Sequence, residues 1–568
     1  MNSSVVKSVV CLAILALAVW MAPCRAAAND KLLWHIGTPG HGNAGFALAP
    51  NGWRQYAQSP GYTTGPNNAP TNLAAIQPHY GNHDPFYVVG FSKQSAWPYV
   101  LPGPADVWAG FHGPYGTWSD SVSHVGIIAF ELGTVAPHGH ATLVINMVDT
   151  AANNPPLVSV AVNGHTVKKQ LPPGSGNASL NGNLSAAKPY VWRIKFLIGR
   201  LQAGNNRITI RTLRGSWIMF GAIQLFAPSG TTMEAPTEAA MLGAHWDNVT
   251  LAKSPAGQAV QALRLHLFCG KAAQSLQVRI GGSASMAIHG AAGIHTIRLT
   301  VPPARRAGTT VIELIADGKT VSSLTAVRKP VPHRTIYVLP HSHVDVGYLY
   351  YQPVTIHLHH VYIDDGLDLI KKTARLSPAA QFKWNIESMI EVDGYLKGFE
   401  KTSPTLTANF INAVRAGKMG LDGTYCNELT GQCRPQELIS WLHYAHEMRV
   451  RYGLKIDSAM LCDVPGVTWG AVPVLADAGI KYFLWGPNGL TQVGFTNNFN
   501  GKAFYWLSAS GKQKIMVWQI ANPNYCSPWF TVADVRPWLH WFAAKNPNYP
   551  YNIMYVMEGC DVAPPPTY

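Results

Sequence analysis

Thr335-Ile-Tyr-Val-Leu339-Pro340-His-Ser-His343-Val-Asp345-Val-Gly347-Tyr348 is the stretch on which the reading of this chain turns. Its first five residues are β-branched, aromatic or aliphatic, the composition of a strand. Polar residues follow at once: His341, His343 and Asp345. On an extended segment, residues two apart project to the same side, so His343 and Asp345 can share one metal ion. Imidazole plus carboxylate suits Zn²⁺, with a position left open for substrate if the site is catalytic. A His-x-Asp pair recurs by chance in long chains; its weight here comes from the strand before it.

Downstream, six more strand-like runs alternate with helical stretches: 382–386, 419–421, 459–462, 481–485, 514–518 and 553–557. Their spacing of roughly 20 to 50 residues predicts β/α units around a parallel sheet, closed or doubly wound. In such folds chemistry gathers beyond the C-terminal ends of the strands. The second run is followed by Glu387, the third leads into Asn427 and Glu428, the fourth ends at Asp463, and the seventh leads to Asp561. Only 13% of the chain is charged, so acids recurring at one topological place point to a site.

Upstream, the 568 residues leave room for two more domains. With 47% apolar residues, general disorder is excluded. Residues 29–228 alternate short apolar strands with turns; Leu157–Val162 runs into Asn163-Gly164, a hairpin signal, and Arg207-Ile-Thr-Ile-Arg211 alternates strictly. This predicts a β-sandwich of jelly-roll type. Residues 229–333 read as a small β-rich linker or Ig-like domain ending at Lys329-Pro-Val-Pro332. Residues 1–28 read as a signal peptide: Lys7, an apolar run from Val9 to Ala22, and small residues at Ala26-Ala27-Ala28. The expected location is secreted or periplasmic, with no stable membrane span after cleavage. Six cysteines lie beyond it, and export permits disulfides in fifteen possible pairings. The net charge of +14 is diffuse and fits an acidic partner such as a uronic-acid polysaccharide. Neither zinc-finger spacing nor a basic helix is present, so nucleic acid is not an expected partner. The oligomeric state is left open.

Residues 334–568 resemble the N-terminal catalytic domain of glycoside hydrolase family 38, the zinc-dependent α-mannosidases. The resemblance lies in Pro340-His-Ser-His343-Val-Asp345-Val-Gly347-Tyr348, Phe382-Lys-Trp384-Asn-Ile-Glu387, Ala459-Met-Leu-Cys-Asp463-Val-Pro-Gly466 and Tyr555-Val-Met-Glu-Gly559-Cys-Asp561. It implies a seven-stranded β/α barrel holding one Zn²⁺ through His343, Asp345 and Asp463. Asp463 would also be the nucleophile and Asp561 the acid/base of a retaining glycosidase, whose two carboxyls stand roughly 5–5.5 Å apart. Tyr348, Trp384 and Glu387 would line the sugar subsite, with Asn427 and Glu428 near it. The sequence departs from the pattern at Tyr348 and Val346, where the family usually has Trp and Pro. It departs again after Asp463, where Val-Pro-Gly466 replaces Pro-Phe-Gly-His, and at Trp485-Gly-Pro487, where the family often has Arg. The family's fourth ligand is a His well beyond the acid/base, and this sequence runs seven residues past Asp561. The barrel is therefore expected to be C-terminally truncated. His357, His359 and His360 fall on a helix and read as surface or packing residues.

The front segment resembles the carbohydrate-binding jelly-roll domain of rhamnogalacturonan lyases, polysaccharide lyase family 4. The matching pieces are Leu33-Trp-His-Ile-Gly37, Phe86-Tyr-Val-Val-Gly90, Val160-Ala-Val-Asn-Gly164 and Leu201-Gln-Ala-Gly-Asn-Asn-Arg-Ile208. The expected function is an exported, metal-dependent retaining glycoside hydrolase, α-mannosidase-like, acting on a poly- or oligosaccharide. One alternative is a polysaccharide deacetylase on the same barrel class, although His443 and His446 lack the His-x-x-x-His spacing it would need. The others are a non-catalytic glycan-binding protein and a lyase-like protein.

Overall fold

A computed structural model describes residues 30–39, 45–47, 84–106, 124–176, 179, 183–236, 239–270, 274–487, 499, 501–520, 532–546, 548–559 and 561–566. The signal-peptide segment 1–28 lies outside them, as do Cys526 and Cys560. The described cysteines Cys269, Cys426, Cys433 and Cys462 are free thiols. No helix among the described residues is long and apolar enough to cross a membrane.

The front segment is a two-sheet β-sandwich. One sheet runs Asp30–Gly37, Ile218–Pro228, His140–Thr150, Tyr190–Leu197; the other runs Thr232–Glu234, Val125–Thr134, Gly204–Arg214, Leu157–Val162, His165–Gln170. The sheets share one core in which Trp97, Trp217, Phe130 and Phe220 are fully buried. Leu157–Val162 buries every second residue, as its sequence requires. Asn163 and Gly164 both take positive φ (46° and 88°), the tight two-residue turn that Asn-Gly favours. Two further four-stranded sheets follow between residues 240 and 328, packed over Leu263, Leu265, Val278, Ile312 and Leu314.

All seven runs read as strands in the last segment are strands. We label them β1 (Thr335–Pro340), β2 (Trp384–Ile386), β3 (Met419–Leu421), β4 (Ser458–Cys462), β5 (Tyr482–Gly486), β6 (Lys514–Gln519) and β7 (Ile553–Glu558). They form three parallel ladders: β1 with β7, β2 with β3, and β4 with β5 and β6. An antiparallel strand, Ala503–Leu507, extends the third ladder and was not expected from sequence. A bridge between His341 and Asn385 ties β1 to β2, and the Gly423 N–H donates to the Ser458 carbonyl between β3 and β4. No ladder joins β6 to β7 among the described residues, so the ladders by themselves do not close a seven-stranded barrel.

Alternation sorts the side chains into two layers. On β4, Ala459 and Leu461 pack outward with Phe483, Trp485 and Val517, whereas Met460 and Cys462 meet Leu339, Leu484, Ile520, Tyr555 and Met557 on the inside. On β2, Trp384 and Ile386 face the helices while Asn385 points the other way, donating to Asp422 at 2.7 Å. Helices cover that side, among them α1 (Gln352–Thr373), opened by a proline in its first turn, and α2 (Met389–Phe399). The α2 N-terminus is closed by Glu391, whose carboxylate accepts the Ser388 N–H at 3.2 Å. The same carboxylate lies 2.9 Å from His359 of α1, both groups being buried. His359 is thus a packing residue, as expected.

The end of β7 lies against the segment after β1. The His341 N–H donates to the Glu558 carbonyl at 2.9 Å, and the Val562 N–H to the His343 carbonyl at 3.0 Å. A Cβ on Gly559 would fall 2.1 Å from the His341 carbonyl oxygen. Backbone cannot yield as a side chain does, so Gly559→Ala is expected to destabilise by roughly 2–4 kcal/mol. Denaturant unfolding at constant m-value measures this; an unchanged midpoint would show that the two segments move apart freely.

Candidate active site

His343, Asp345, Glu387, Asp463 and Asp561 each sit just past the end of a β strand. Glu387, just past β2, is fully buried. Its carboxylate accepts from His343 Nδ1 at 2.9 Å and from the Asn427 amide at 2.8 Å, and lies 3.5 Å from His341 Nδ1. Burial alone would push the Glu387 carboxyl up; the two histidines beside it outweigh burial and hold it well below the usual range. Burial likewise pulls His343 down, but Glu387 and Asp345 raise it well above an ordinary imidazole.

With Nδ1 committed to Glu387, His343 presents Nε2 on its other edge. Nε2 lies 3.6 Å from Asp345 Oδ1 and 3.8 Å from Asp463 Oδ2. One ligand atom from each of His343, Asp345 and Asp463 falls within 4.8 Å of the others. This donor set fits a metal ion: a carboxylate fixes the tautomer of a ligating imidazole, and two acids face its free nitrogen. The main chain of His343 also forms a parallel β-bridge with that of Asp561, so the segments carrying the two candidate catalytic acids both border this histidine.

The backbone is strained at this point. Asp463 adopts φ +55°, held by its N–H donating to the Gly486 carbonyl at 2.8 Å. Val562, next to Asp561, adopts φ +44°, an outlier for a β-branched residue. Its carbonyl accepts the Tyr362 hydroxyl at 2.9 Å. Strain kept by surrounding bonds clusters at working sites.

The remaining expected residues are placed less uniformly. Asn427 reaches Glu387 and accepts the Cys462 N–H. Glu428 contacts the thiols of Cys426 and Cys433. Glu387 holds His343 from behind and does not line a subsite. Tyr348 is 83% exposed beyond the Gly347 turn. Trp384, expected at a sugar subsite, is buried at 2% and stacks with Phe382 in the helix-side core. That expectation is corrected: on β2 the parity of Ile386, not of Asn385, decides the direction of Trp384. His443 and His446 fall on the helix His443–Tyr452, apart from the acid cluster.

Three contributors escaped the sequence reading. His341 is buried beside Glu387. Asp422, beyond β3, is pushed up to about 6 by burial. Glu558, ending β7, is pushed up to about 7 by burial, and its Oε2 has no hydrogen-bond partner among the described residues. The available signal was a lone polar residue closing each apolar run.

Comparison with known proteins fits this arrangement. Residues 333–562 match the Glycosyl hydrolases family 38 N-terminal domain. The motifs of the sequence thus fall inside the segment that this family model matches. Residues 32–225 match the CBM-like domain, Polysaccharide lyase family 4, domain III, so the front resemblance also holds. Among solved structures, an alpha-mannosidase from Enterococcus faecalis V583 is similar at 18% identity and TM-score 0.33, covering 41% of this chain and 25% of that one. A glycosyl hydrolase family 38 protein from Enterococcus faecalis shows 16% identity and TM-score 0.31, covering 40% and 24%. A putative polysaccharide deacetylase from Mycobacterium smegmatis shows 10% identity and TM-score 0.26, covering 40% and 78%. This chain therefore spans about a quarter of the length of the two family 38 structures. A search of curated proteins returns no match.

Two outcomes follow from the geometry. A proton on His343 competes with a metal ion, so Zn²⁺ affinity should rise about tenfold per pH unit below the imidazole pKa. Calorimetric titration of the wild type and of His343→Ala tests this; a pH-independent affinity, or equal uptake by the variant, contradicts it. Glu558 folds as the protonated acid, so its contribution is complete below its ordinary 4.5 and is lost as pH rises through about 7. Glu558→Gln should remove that loss, leaving the variant roughly 3 kcal/mol more stable than wild type at pH 8 in thermal unfolding. Identical pH slopes would disprove it.

Proposed function

We propose that this chain is an exported, metal-dependent retaining glycoside hydrolase of the family 38 type, acting on an α-mannosidic or related linkage in an oligo- or polysaccharide. The observation that carries the reading is the convergence of His343, Asp345 and Asp463 on one point, with the main chain of Asp561 paired to that of the same histidine. The seven parallel strands are proposed to enclose one barrel, an arrangement favoured by the inner cluster that β1, β4, β5 and β7 share.

His343, Asp345 and Asp463 would hold one Zn²⁺, which when bound supplies a Lewis acid for sugar hydroxyls. The protein's own groups carry the rest. The Asp463 carboxylate attacks the anomeric carbon as the glycosidic C–O bond breaks, forming a glycosyl ester. The Asp561 carboxyl gives its proton to the departing oxygen. Asp561, now a carboxylate, takes a proton from water, and the hydroxide formed cleaves the ester with net retention. Glu387 keeps the His343 Nδ1 proton in place and Asn427 fixes Glu387. The strained φ of Asp463 fixes the direction of its carboxylate.

Asp463→Asn should lower kcat on nitrophenyl α-mannoside by at least about 10³-fold while the protein stays folded. Intact activity in this variant would end the hydrolase reading. Release of acetate from acetylated glycans, with no glycoside cleavage, would replace it by deacetylation.

A further inference from the structure

A second cleft lies away from these acids, where the front sandwich, the small β domain and the family 38 domain meet. Its volume is about 900 Å³, within the ~300–1,000 Å³ of ligand sites, and domain junctions are where such sites gather. The lining carries six cationic side chains: Arg211 from the sandwich, Arg264 and Arg298 from the small domain, Lys329 and Arg334 from the connector, and Arg536 from the helix Val532–Lys545. Among the described residues two acids line the cleft with them, and both are engaged. Asp84 lies 3.2 Å from His245, and Asp247 pairs with Arg536 at 2.6 Å and with His540 at 3.5 Å.

Register sharpens the charge. His245 stands directly opposite Arg264 on the neighbouring strand, and Arg264 directly opposite Arg298 on the next. All three are exposed, while Leu263 and Leu265 on either side of Arg264 are fully buried. Like charges placed opposite one another across a sheet cost stability. An anion between them reverses the sign of that term. Two buried donors in the same lining, Arg334 Nε and Trp246 Nε1, have no hydrogen-bond partner among the described residues. The Arg328 guanidinium covers one face of the Trp246 ring at 4.4 Å.

We propose that this cleft binds a carboxylate-bearing saccharide, a uronic-acid oligomer. The cation row meets carboxylates at successive residues, and the orphan donors meet ring hydroxyls or carboxylate oxygens. The volume exceeds what a lone inorganic anion requires, and the flanking segments are a carbohydrate-binding-like module and a glycosyl hydrolase domain. Single-stranded nucleic acid needs exposed aromatic platforms, and among the described lining residues Trp246, the one Trp, Tyr or Phe, is buried. The site is separate from the hydrolytic centre and does not depend on its assignment.

The test is calorimetry on the full chain with oligogalacturonate, its methyl ester, a neutral mannan oligomer, inorganic phosphate and a short single-stranded DNA. Oligogalacturonate should bind. Esterification, and Arg264→Ala or Arg298→Ala, should each weaken binding by about tenfold or more. Arg264→Lys should restore part of it. Circular dichroism spectra and nitrophenyl α-mannoside hydrolysis by the same variants should match wild type, so loss at this cleft is read separately from any failure of the hydrolase reading. The proposal is overturned if the ester or the neutral oligomer binds as well as the acid, or if the arginine variants bind like wild type. Phosphate or DNA matching the oligomer in affinity would also overturn it.

Discussion

The Glu387 carboxylate is the interaction on which the candidate site depends. It is a charge taken wholly out of water, and such a charge persists only where donors surround it. His343 and Asn427 supply hydrogen bonds, with His341 at slightly longer range. These groups come from the segment after β1 and the loop after β3, while Glu387 itself follows β2. One buried carboxylate therefore ties three strand ends together and orients His343 as well. Removing it would leave His343 without the acceptor that commits its Nδ1 proton.

Around this tie the backbone is held away from its relaxed geometry. Asp463 and Val562 both occupy the left-handed region, one at an acid and one beside the other. Aspartate tolerates that region better than valine does. At Val562 the cost is carried by two bonds: its N–H to the His343 carbonyl and its carbonyl from Tyr362. The bond to Tyr362, on α1, links the helix layer to the chemistry. The cationic cleft shows a parallel economy, with like charges accepted in a row where a ligand can neutralise them.

Much of this was legible in the chain. Parallel strands are short, apolar and followed by loops, so the seven runs stood out, and the acids at their ends located the site. The Asn163-Gly164 hairpin was equally plain because the turn chemistry is local. What escaped was non-local or depended on parity. The family resemblance implied Trp384 at the sugar, yet it shares parity with Ile386 and so faces the helices. His341 and Glu558 each read as one polar residue beside an apolar run; their roles come from partners some forty to two hundred positions away. The strand Ala503–Leu507 pairs antiparallel within an otherwise parallel set, and its run of apolar and aromatic residues gives no sign of direction. The cleft at the domain junction is assembled from three segments, so no single stretch announces it.

The pairing of β1 with β7 joins the first strand of the domain to the last. His343 therefore leaves the ribosome roughly two hundred residues before Asp561, which at about 5–20 residues per second is a delay of some tens of seconds. For that interval β1 has no partner on one side, and its apolar edge is open to wrong pairings. Tyr337 and Val338 remain substantially exposed even in the finished fold. The histidine that the acids converge upon is thus synthesised early and organised last. Translation pace and chaperone cover, more than the stability of the folded domain, would then set the yield of competent molecules.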